Sequence, residues 1–200
     1  SGWQIIDDVP HEARLERYGL DFGYTNDPTA IVAVYYYNGG YIWDEITFQK
    51  GLSNKQIADI FLNIPKALVV ADSAEPKSID EIKSYKVNII GVQKRRGFQV
   101  DTVFVRETDN FVKWSIGLVQ GEKISVTKHS TNIIKEYRNY LWMTDKDGKV
   151  LNQPEHLFSH SMDAGRYATV SLTQVIQKQD RLRRIREEAG TRLNIPTNPI

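Results

Sequence analysis

The chain has 200 residues, of which 40% are hydrophobic and 26% charged, and its net charge of +1 neither requires nor excludes a nucleic-acid partner. The absence of cysteine excludes disulfides and thiolate zinc sites, so carboxylate and imidazole groups are the available metal ligands. No apolar run approaches the roughly 18 residues that a membrane-spanning helix needs, and no signal-peptide core is visible. We therefore expect a soluble cytoplasmic protein without a membrane partner.

The N-terminal part of the chain predicts a short linker followed by an antiparallel meander. Residues 1–17 mix charged and apolar side chains without a clear period, which is typical of a linker. Three strands are predicted at 18–24, 30–37 and 41–48. Asn38, Gly39 and Gly40 lie between the second and third strands, where they are expected to supply the positive φ angles of a tight hairpin turn.

Asp21 interrupts the first predicted strand with a charge. In the segment YGLDFG, apolar residues alternate with Gly and Asp, so Asp21 takes a place where Val would be usual. A buried carboxylate is costly unless it is paired, hydrogen-bonded or bound to a metal. Gly23 has no side chain, so a ligand or a second backbone segment could approach it closely. An Asp that only hydrogen-bonds the amides of the following turn would give the same pattern.

Helices and strands alternate after the meander, which predicts an α/β fold. Ser53 and Gln56 form a capping box at the start of a predicted helix. A buried strand is predicted at 67–71, and Asp72 follows it directly. Pro76 fits the first turn of the next helix, and a further strand is predicted at 87–92. The carboxyl end of a strand is where sites form in an open α/β sheet, so Asp72 is a candidate site residue.

The last part of the chain predicts further helices, a hairpin and a tail. The apolar pattern over 101–119 is compatible with a helix, 123–126 is a weak strand, and 132–140 is helical. Asp147-Gly148 predicts a hairpin turn, and Ser159 is an N-cap for a helix that carries Asp163. Residues 177–200 are charged and are expected to be flexible. The predicted organisation is a linker at 1–17, one domain at 18–176 and a tail at 177–200.

Three aspartates are candidate metal ligands: Asp21 and Asp72 on strands, and Asp163 on the late helix. Phosphodiester cleavage by two divalent ions about 4 Å apart needs several carboxylates at one point, because Mg²⁺ and Mn²⁺ prefer oxygen ligands. Two neighbouring strands and a helix packed on the sheet could supply them. The chain has 25 acidic residues, so the spacing alone does not separate such a site from chance.

Basic and imidazole groups extend the candidate site. His160 and Asp163 are three residues apart on the predicted helix, so they share a face. His160 could be a metal ligand, a proton shuttle or a transition-state stabiliser, or only a surface or capping histidine. Lys94, Arg95 and Arg96 follow the strand after Asp72 and could neutralise DNA phosphates, although a charge run is also typical of a solvated face.

Four segments carry a resemblance to a known family. They are LDFGYTNDPTAIVAVY, ADSAEPKSIDEIK, EYRNYLWMTDKDGKVLNQP and HSMDAGRYA. In this order and spacing they resemble the C-terminal nuclease domain of large terminase subunits, the DNA-packaging motor proteins of tailed bacteriophages. The resemblance covers about residues 18–176. It implies a ribonuclease H-like α/β fold, with a mixed central sheet flanked by helices and an accessory β-hairpin.

The resemblance also implies an activity. It is that of an endonuclease that cuts concatemeric viral double-stranded DNA with two divalent cations, Mg²⁺ or Mn²⁺. The family's metal-binding aspartates map onto Asp21, Asp72 and Asp163, and a histidine of its active site maps onto His160. The implied partners are double-stranded DNA, the terminase small subunit, the portal protein and an ATPase domain of the same protein, in the cytoplasm of the infected bacterial host.

Two departures and three alternatives accompany the resemblance. Ser159 stands where the family often has Asn, and no GxxxxGK[ST] motif is present, so translocation is not ascribed to this chain. A Holliday-junction resolvase-like nuclease and a non-catalytic DNA-binding or docking module are the main alternatives. DFGYTN also imitates the phosphate-binding hairpin of actin-like and sugar-kinase-like proteins, but their second phosphate loop and glycine-rich adenosine site are not found.

Overall fold

A computed structural model describes residues 3–23, 26–93, 97–100, 103–106, 111–139, 142–144, 150–154 and 159–172. The strands are β1 (Gln4–Ile6), β2 (Arg14–Asp21), β3 (Pro28–Tyr37), β4 (Gly40–Lys50), β5 (Leu68–Ala71), β6 (Ile89–Gly91), β7 (Gly97–Val100), β8 (Val103–Arg106), β9 (Ile124–Thr127), β10 (Trp142–Thr144) and β11 (Val150–Pro154). The helices are α1 (Asn54–Leu62), α2 (Pro76–Ser84), α3 (Phe111–Gly121), α4 (Thr131–Asn139) and α5 (160–172).

A mixed sheet of seven strands, in the order β1-β9-β4-β3-β2-β5-β6, forms the centre of the fold. β2, β3 and β4 pair antiparallel, and Asn38 and Gly39 take φ angles of 48° and 74° in the turn between β3 and β4. β5 pairs parallel with β2, and β6 pairs parallel with β5. The predicted meander and the predicted mixed sheet are confirmed.

Helices cover both faces of this sheet. On one face, Ile57 of α1 and Ile82 of α2 share a buried cluster with Leu20 of β2. On the other face, α4 and α5 share a second cluster with Trp43 of β4, to which α4 contributes Ile133. Within the described ranges, no helix has the length and apolar character needed to cross a membrane. The arrangement is three layers, with the sheet between two layers of helices.

The structure corrects the expectation that residues 1–17 are only a linker. Gln4–Ile6 form β1, which pairs parallel with β9 at the sheet edge, and β2 already begins at Arg14. Trp3 stacks on Tyr137 of α4 with ring centroids 4.3 Å apart. These contacts join segments more than a hundred residues apart, so no local period could predict them. The tail at 177–200 lies outside the described residues, and the division into domain and tail remains a prediction.

The region expected to be helical over 101–119 is also corrected. Val103–Arg106 form β8, which pairs antiparallel with β7, and the helix occupies only Phe111–Gly121. The run VFVR is β-branched and aromatic, so it suits a strand once a partner strand lies beside it. β10 and β11 also pair antiparallel, which confirms the accessory hairpin. Its expected turn at Asp147-Gly148 lies outside the described residues.

Candidate active site

Asp21 and Asp72 lie side by side at the carboxyl-terminal ends of two neighbouring strands. β2 and β5 run parallel with Leu20 opposite Ala71, so the residues that follow these, Asp21 and Asp72, also lie beside each other. The Asp72 amide donates a hydrogen bond to the Leu20 carbonyl at 3.2 Å. The structure therefore brings together the two strand aspartates that the sequence singled out.

Asp163 approaches these strand ends because α5 packs very closely against the sheet. A Cβ built on Gly19 of β2 would lie 1.8 Å from the carbonyl oxygen of Ala164, the residue after Asp163. A Cβ built on Gly165 would lie 2.4 Å from the Trp43 ring of β4. Any larger residue at either position would push the helix away from the sheet. These two glycines thus set how closely Asp163 approaches the ends of β2 and β5.

The turn after Asp21 folds back on Gly23. A Cβ on Gly23 would lie 2.3 Å from the Asp27 carbonyl oxygen, and the Gly23 amide donates to Thr29 Oγ1 at 3.1 Å. The close approach at Gly23 is therefore made by the chain's own backbone. The same turn places the Asp27 carboxylate, 64% exposed, with Oδ1 3.9 Å from His160 Nε2.

His160 lies in the first turn of α5 and contacts Asp21 directly. Its Nδ1 is 2.9 Å from Asp21 Oδ2, and the two side chains are only 11% and 13% exposed. The hydrogen bond to Asp21 is the main reason that the pKa of His160 is raised above its ordinary value. His160 is therefore not a surface histidine, since its ring is held inside the carboxylate cluster.

Asp21 sits in an environment that disfavours its negative charge. Burial is the largest cause that raises the pKa of Asp21, from 3.8 to about 7. The hydrogen bond from His160 opposes this rise, whereas the charges of Asp163 and Asp72 add to it. Because both acids act on Asp21, the three carboxylates form one electrostatic cluster.

Two side chains of α5 hold the other aspartates. The Tyr167 hydroxyl donates to Asp72 Oδ2 at 3.2 Å, and burial raises the pKa of Tyr167 well above its ordinary value, so this donor stays protonated. Arg166 pairs with Asp163 and also donates to Ser115 Oγ of α3 at 2.6 Å. The sequence analysis missed Arg166 and Tyr167. Their only signal was the spacing of three and four residues from Asp163, which places them on its helix face.

The donor set suits a hard divalent cation, because carboxylate oxygens are the ligands that Mg²⁺ and Mn²⁺ prefer. Within the part of the chain that the structure describes, however, no group of three or more His, Asp or Glu side chains is placed closely enough to hold a metal ion. Asp21, Asp72 and Asp163 are instead engaged by His160, Tyr167 and Arg166 respectively. The chemistry of the donors fits a cation, and binding one would exchange these contacts for metal bonds.

The predicted basic cluster, Lys94, Arg95 and Arg96, lies outside the described residues. It follows β6 in the sequence, and β6 pairs with β5, the strand that ends at Asp72. Its predicted contact with DNA phosphates therefore stays a prediction.

Comparison with known proteins identifies relatives of the chain. Residues 21–171 match the family described as the terminase RNase H-like domain, a span that includes Asp21, Asp72, His160 and Asp163. The chain is 34% identical over 177 residues to the large terminase subunit of Bacillus phage SPP1. This match covers 82% of this chain and 39% of that protein. The chain thus spans about two fifths of the length of this curated relative.

Solved structures agree with this relationship. The nuclease domain of the large terminase of bacteriophage SPP1, with bound Mn, matches with a TM-score of 0.62 at 25% identity, over 83% of this chain and 94% of that domain. The large terminase nuclease of the thermophilic phage G20c, with bound magnesium, matches with a TM-score of 0.54 at 16% identity, over 82% of this chain and 84% of that chain, which supports the fold alone. The predicted ribonuclease H-like fold is confirmed. By sequence and by fold, this chain belongs to the family of terminase RNase H-like domains.

Proposed function

We propose that this chain is the nuclease domain of a terminase large subunit, an endonuclease that cuts concatemeric viral double-stranded DNA during genome packaging. Membership of the family supports nuclease activity. The observation that carries the proposal is the convergence of Asp21, Asp72 and Asp163 from three separate parts of the fold. The charges of Asp163 and Asp72 raise the pKa of Asp21. Such crowding of negative charge is unfavourable unless a cation or a proton neutralises it.

Asp21, Asp72 and Asp163 are the residues that would hold the cations, which we propose to be two Mg²⁺ or Mn²⁺ ions. When bound, divalent ions would stabilise charge on the phosphate oxygens and supply an activated water molecule. The Mn bound to the SPP1 nuclease domain supports this assignment. Before the cations bind, Tyr167 would orient the carboxylate of Asp72, and Arg166 would orient that of Asp163.

His160 is assigned to proton transfer. Its Nδ1 is fixed by Asp21, which leaves Nε2 on the side of the exposed Asp27. An imidazole held at one nitrogen, with its other nitrogen facing an exposed carboxylate, can take up or release a proton without moving far.

The proposal extends to the context of the chain. The relative from phage SPP1 is more than twice as long, which supports a further domain in the same protein, and we propose that this domain is the ATPase. The small subunit and the portal protein are proposed as further partners, in the cytoplasm of the infected host. We also propose that the nuclease domain includes β1 and the whole of β2 and extends to about residue 176, and that Lys94, Arg95 and Arg96 contact the DNA backbone.

Cleavage of supercoiled plasmid DNA tests this function. The chain should nick and linearise the plasmid with Mn²⁺ or Mg²⁺, and EDTA should abolish cleavage. Asp21→Asn, Asp72→Asn and Asp163→Asn should each lose cleavage while keeping the fold. Asp44→Asn is a matched control, because Asp44 lies outside the cluster, where it accepts a hydrogen bond from Thr127 Oγ1 at 2.6 Å. This variant should keep the parent cleavage rate. Metal-independent cleavage, no cleavage at any metal concentration, or fully active cluster variants would overturn the proposal.

A further inference from the structure

Glu136 is a buried carboxylate at the contact between α4 and α5. It is 2% exposed, and its Oε2 accepts hydrogen bonds from the amides of Ser161, at 2.6 Å, and Met162, at 3.2 Å. These amides belong to the first turn of α5, where backbone N–H groups have no partner within the helix. Ser161 and Met162 are the two residues between His160 and Asp163. Glu136 therefore holds the peptide groups that separate two proposed site residues.

We propose that Glu136 is a positioning residue of the nuclease site, which fixes His160 and Asp163 relative to each other by capping the first turn of α5. This inference rests on the proposed nuclease function. A carboxylate at a helix N-terminus is favourable, because its charge complements the helix dipole and its oxygen satisfies amides that would otherwise lack a partner. The first turn of a helix frays when such a cap is absent.

The cap is costly in a way that points to a role beyond filling space. Glu136 Oε1 is buried without a hydrogen-bond partner among the described residues. Burial raises the pKa of Glu136, whereas the two amide hydrogen bonds lower it. A buried polar atom without a partner destabilises a fold, and an apolar side chain would avoid the cost at Oε1 but would leave the Ser161 and Met162 amides without this acceptor. What an apolar side chain could not provide is the fixed geometry of the peptide groups between His160 and Asp163.

The cap is also continuous with the sheet that carries the strand aspartates. Glu45 of β4 accepts hydrogen bonds from the amides of Asn132 and Ile133, both at 3.0 Å, and so fixes the start of α4. α4 in turn presents Glu136 to α5. The first turn of α5 is thereby tied to the strands through two carboxylate caps in succession, as well as through the glycine contacts beneath it.

Glu136→Ala and Glu136→Gln test the proposal, and Ser53→Ala is the control because it removes the N-cap of α1, a helix on the other face of the sheet. Three quantities are measured for each variant: the dissociation constant for Mn²⁺ alone by titration calorimetry, the melting temperature, and kcat and KM for plasmid cleavage. Glu136→Ala should weaken Mn²⁺ binding by about tenfold or more, the usual scale for losing a residue that orients metal ligands. It should lower kcat with little change in KM, and Glu136→Gln should lie between it and the parent. Ser53→Ala should lose stability but keep Mn²⁺ affinity within about twofold.

The outcomes are separable. Parent-like Mn²⁺ affinity and kcat in folded Glu136→Ala, or an equal loss of affinity in Ser53→Ala, would overturn the proposal, because the cap would then only support the fold. If Glu136→Ala does not fold, the same criteria apply to Glu136→Gln, which retains an oxygen that can accept from an amide. If the parent itself binds no Mn²⁺, the proposed function fails, and amide hydrogen exchange decides the positioning role separately. Exchange at Ser161, Met162 and Asp163 should be about tenfold faster or more in Glu136→Gln, and unchanged exchange would overturn that role.

Discussion

His160 joins α5 to the carboxylate of Asp21, and its two ring nitrogens meet different surroundings. Nδ1 lies 2.9 Å from Asp21 in the interior, and Nε2 lies 3.9 Å from the exposed Asp27. Each of the other two cluster aspartates is held by a tyrosine or an arginine, neither of which exchanges protons readily near neutral pH. At the scale of single residues, His160 is thus the group best suited to transfer a proton.

Removal of this imidazole should slow cleavage without unfolding the domain. His160→Ala is expected to lower the cleavage rate by roughly 10²-fold or more, the usual scale for a lost general acid or base. The rate of the parent should show a pH-dependent limb above the ordinary imidazole pKa, because the hydrogen bond to Asp21 raises the pKa of His160, and the variant should lack that limb. Single-turnover plasmid cleavage with Mn²⁺ at a series of pH values measures both effects.

A second histidine provides the control. His129 Nε2 lies 2.7 Å from Asp44 Oδ1, so this is also a His–Asp pair, but it joins β4 to the end of β9 outside the carboxylate cluster. His129→Ala should leave the cleavage rate within a few-fold of the parent. Profiles of the same shape for the parent and His160→Ala, with rates that differ less than threefold, would remove His160 from the mechanism.

At the scale of elements, the site depends on how closely α5 crosses β2. Gly19→Ala would place a methyl group 1.8 Å from the Ala164 carbonyl oxygen if nothing moved. The helix must therefore shift, so we expect a loss of about 3 kcal/mol in the free energy of unfolding, the upper end for overpacked cores, together with a loss of cleavage. Denaturant unfolding and plasmid cleavage measure the two losses.

Gly117→Ala is the matched control for this change. Gly117 lies in α3, and a Cβ built there meets no atom within 4 Å. Because Ala is the better helix former, this variant should be as stable as the parent or up to about 1 kcal/mol more stable, with unchanged cleavage. A Gly19→Ala protein that matches Gly117→Ala in stability and cleavage would show that the close crossing is not required.

Elements that depend on local signals were predictable from the sequence. The capping box of α1 is present in both directions, with the Gln56 amide 3.2 Å from Ser53 Oγ and the Ser53 amide 2.9 Å from Gln56 Oε1. The predicted hairpin turn also forms, with positive φ at Asn38 and Gly39, because Asn and Gly accept this conformation most readily, whereas Gly40 already belongs to β4. Asp72 follows a short buried strand, and this pattern was enough to predict its position at the carboxyl-terminal end of that strand.

Features that depend on distant contacts were not predictable. β1 exists only because Gln4–Ile6 pair with β9, and Ile5 is 49% exposed, so burial leaves no periodic signal there. Glu136 meets Ser161 across 25 residues, and nothing in the sequence around either residue marks the pair. The strand aspartates could be proposed from local pattern, whereas the side chains that hold them depend on how the helices pack.

At the scale of the whole molecule, the carboxylate cluster links folding stability to pH. The pKa of Asp21 rises from 3.8 to about 7 on folding, so the folded protein binds more protons than the unfolded chain between these values. The pKa of His160 is also raised, so its stabilising contribution is present below its ordinary pKa and is lost as the pH rises through the folded value. Asp21 therefore makes the free energy of unfolding fall as the pH rises from 3.8 to about 7, and His160 makes it fall above the ordinary imidazole pKa.

Divalent cations should oppose this fall, because they favour the ionised carboxylates. In EDTA, we expect the melting temperature of the parent to decrease between about pH 5 and pH 8, by an amount on the order of 5 °C relative to Asp21→Asn. The comparison with Asp21→Asn removes the contribution of distant titrating groups, so the difference reports Asp21 together with His160, whose pKa Asp21 raises. With Mn²⁺, the parent should regain the difference at the upper pH, whereas Asp21→Asn should gain less from the metal. Thermal unfolding of both proteins across this pH range measures the effect, and parallel curves in EDTA would show that burial of Asp21 does not set the pH dependence of stability.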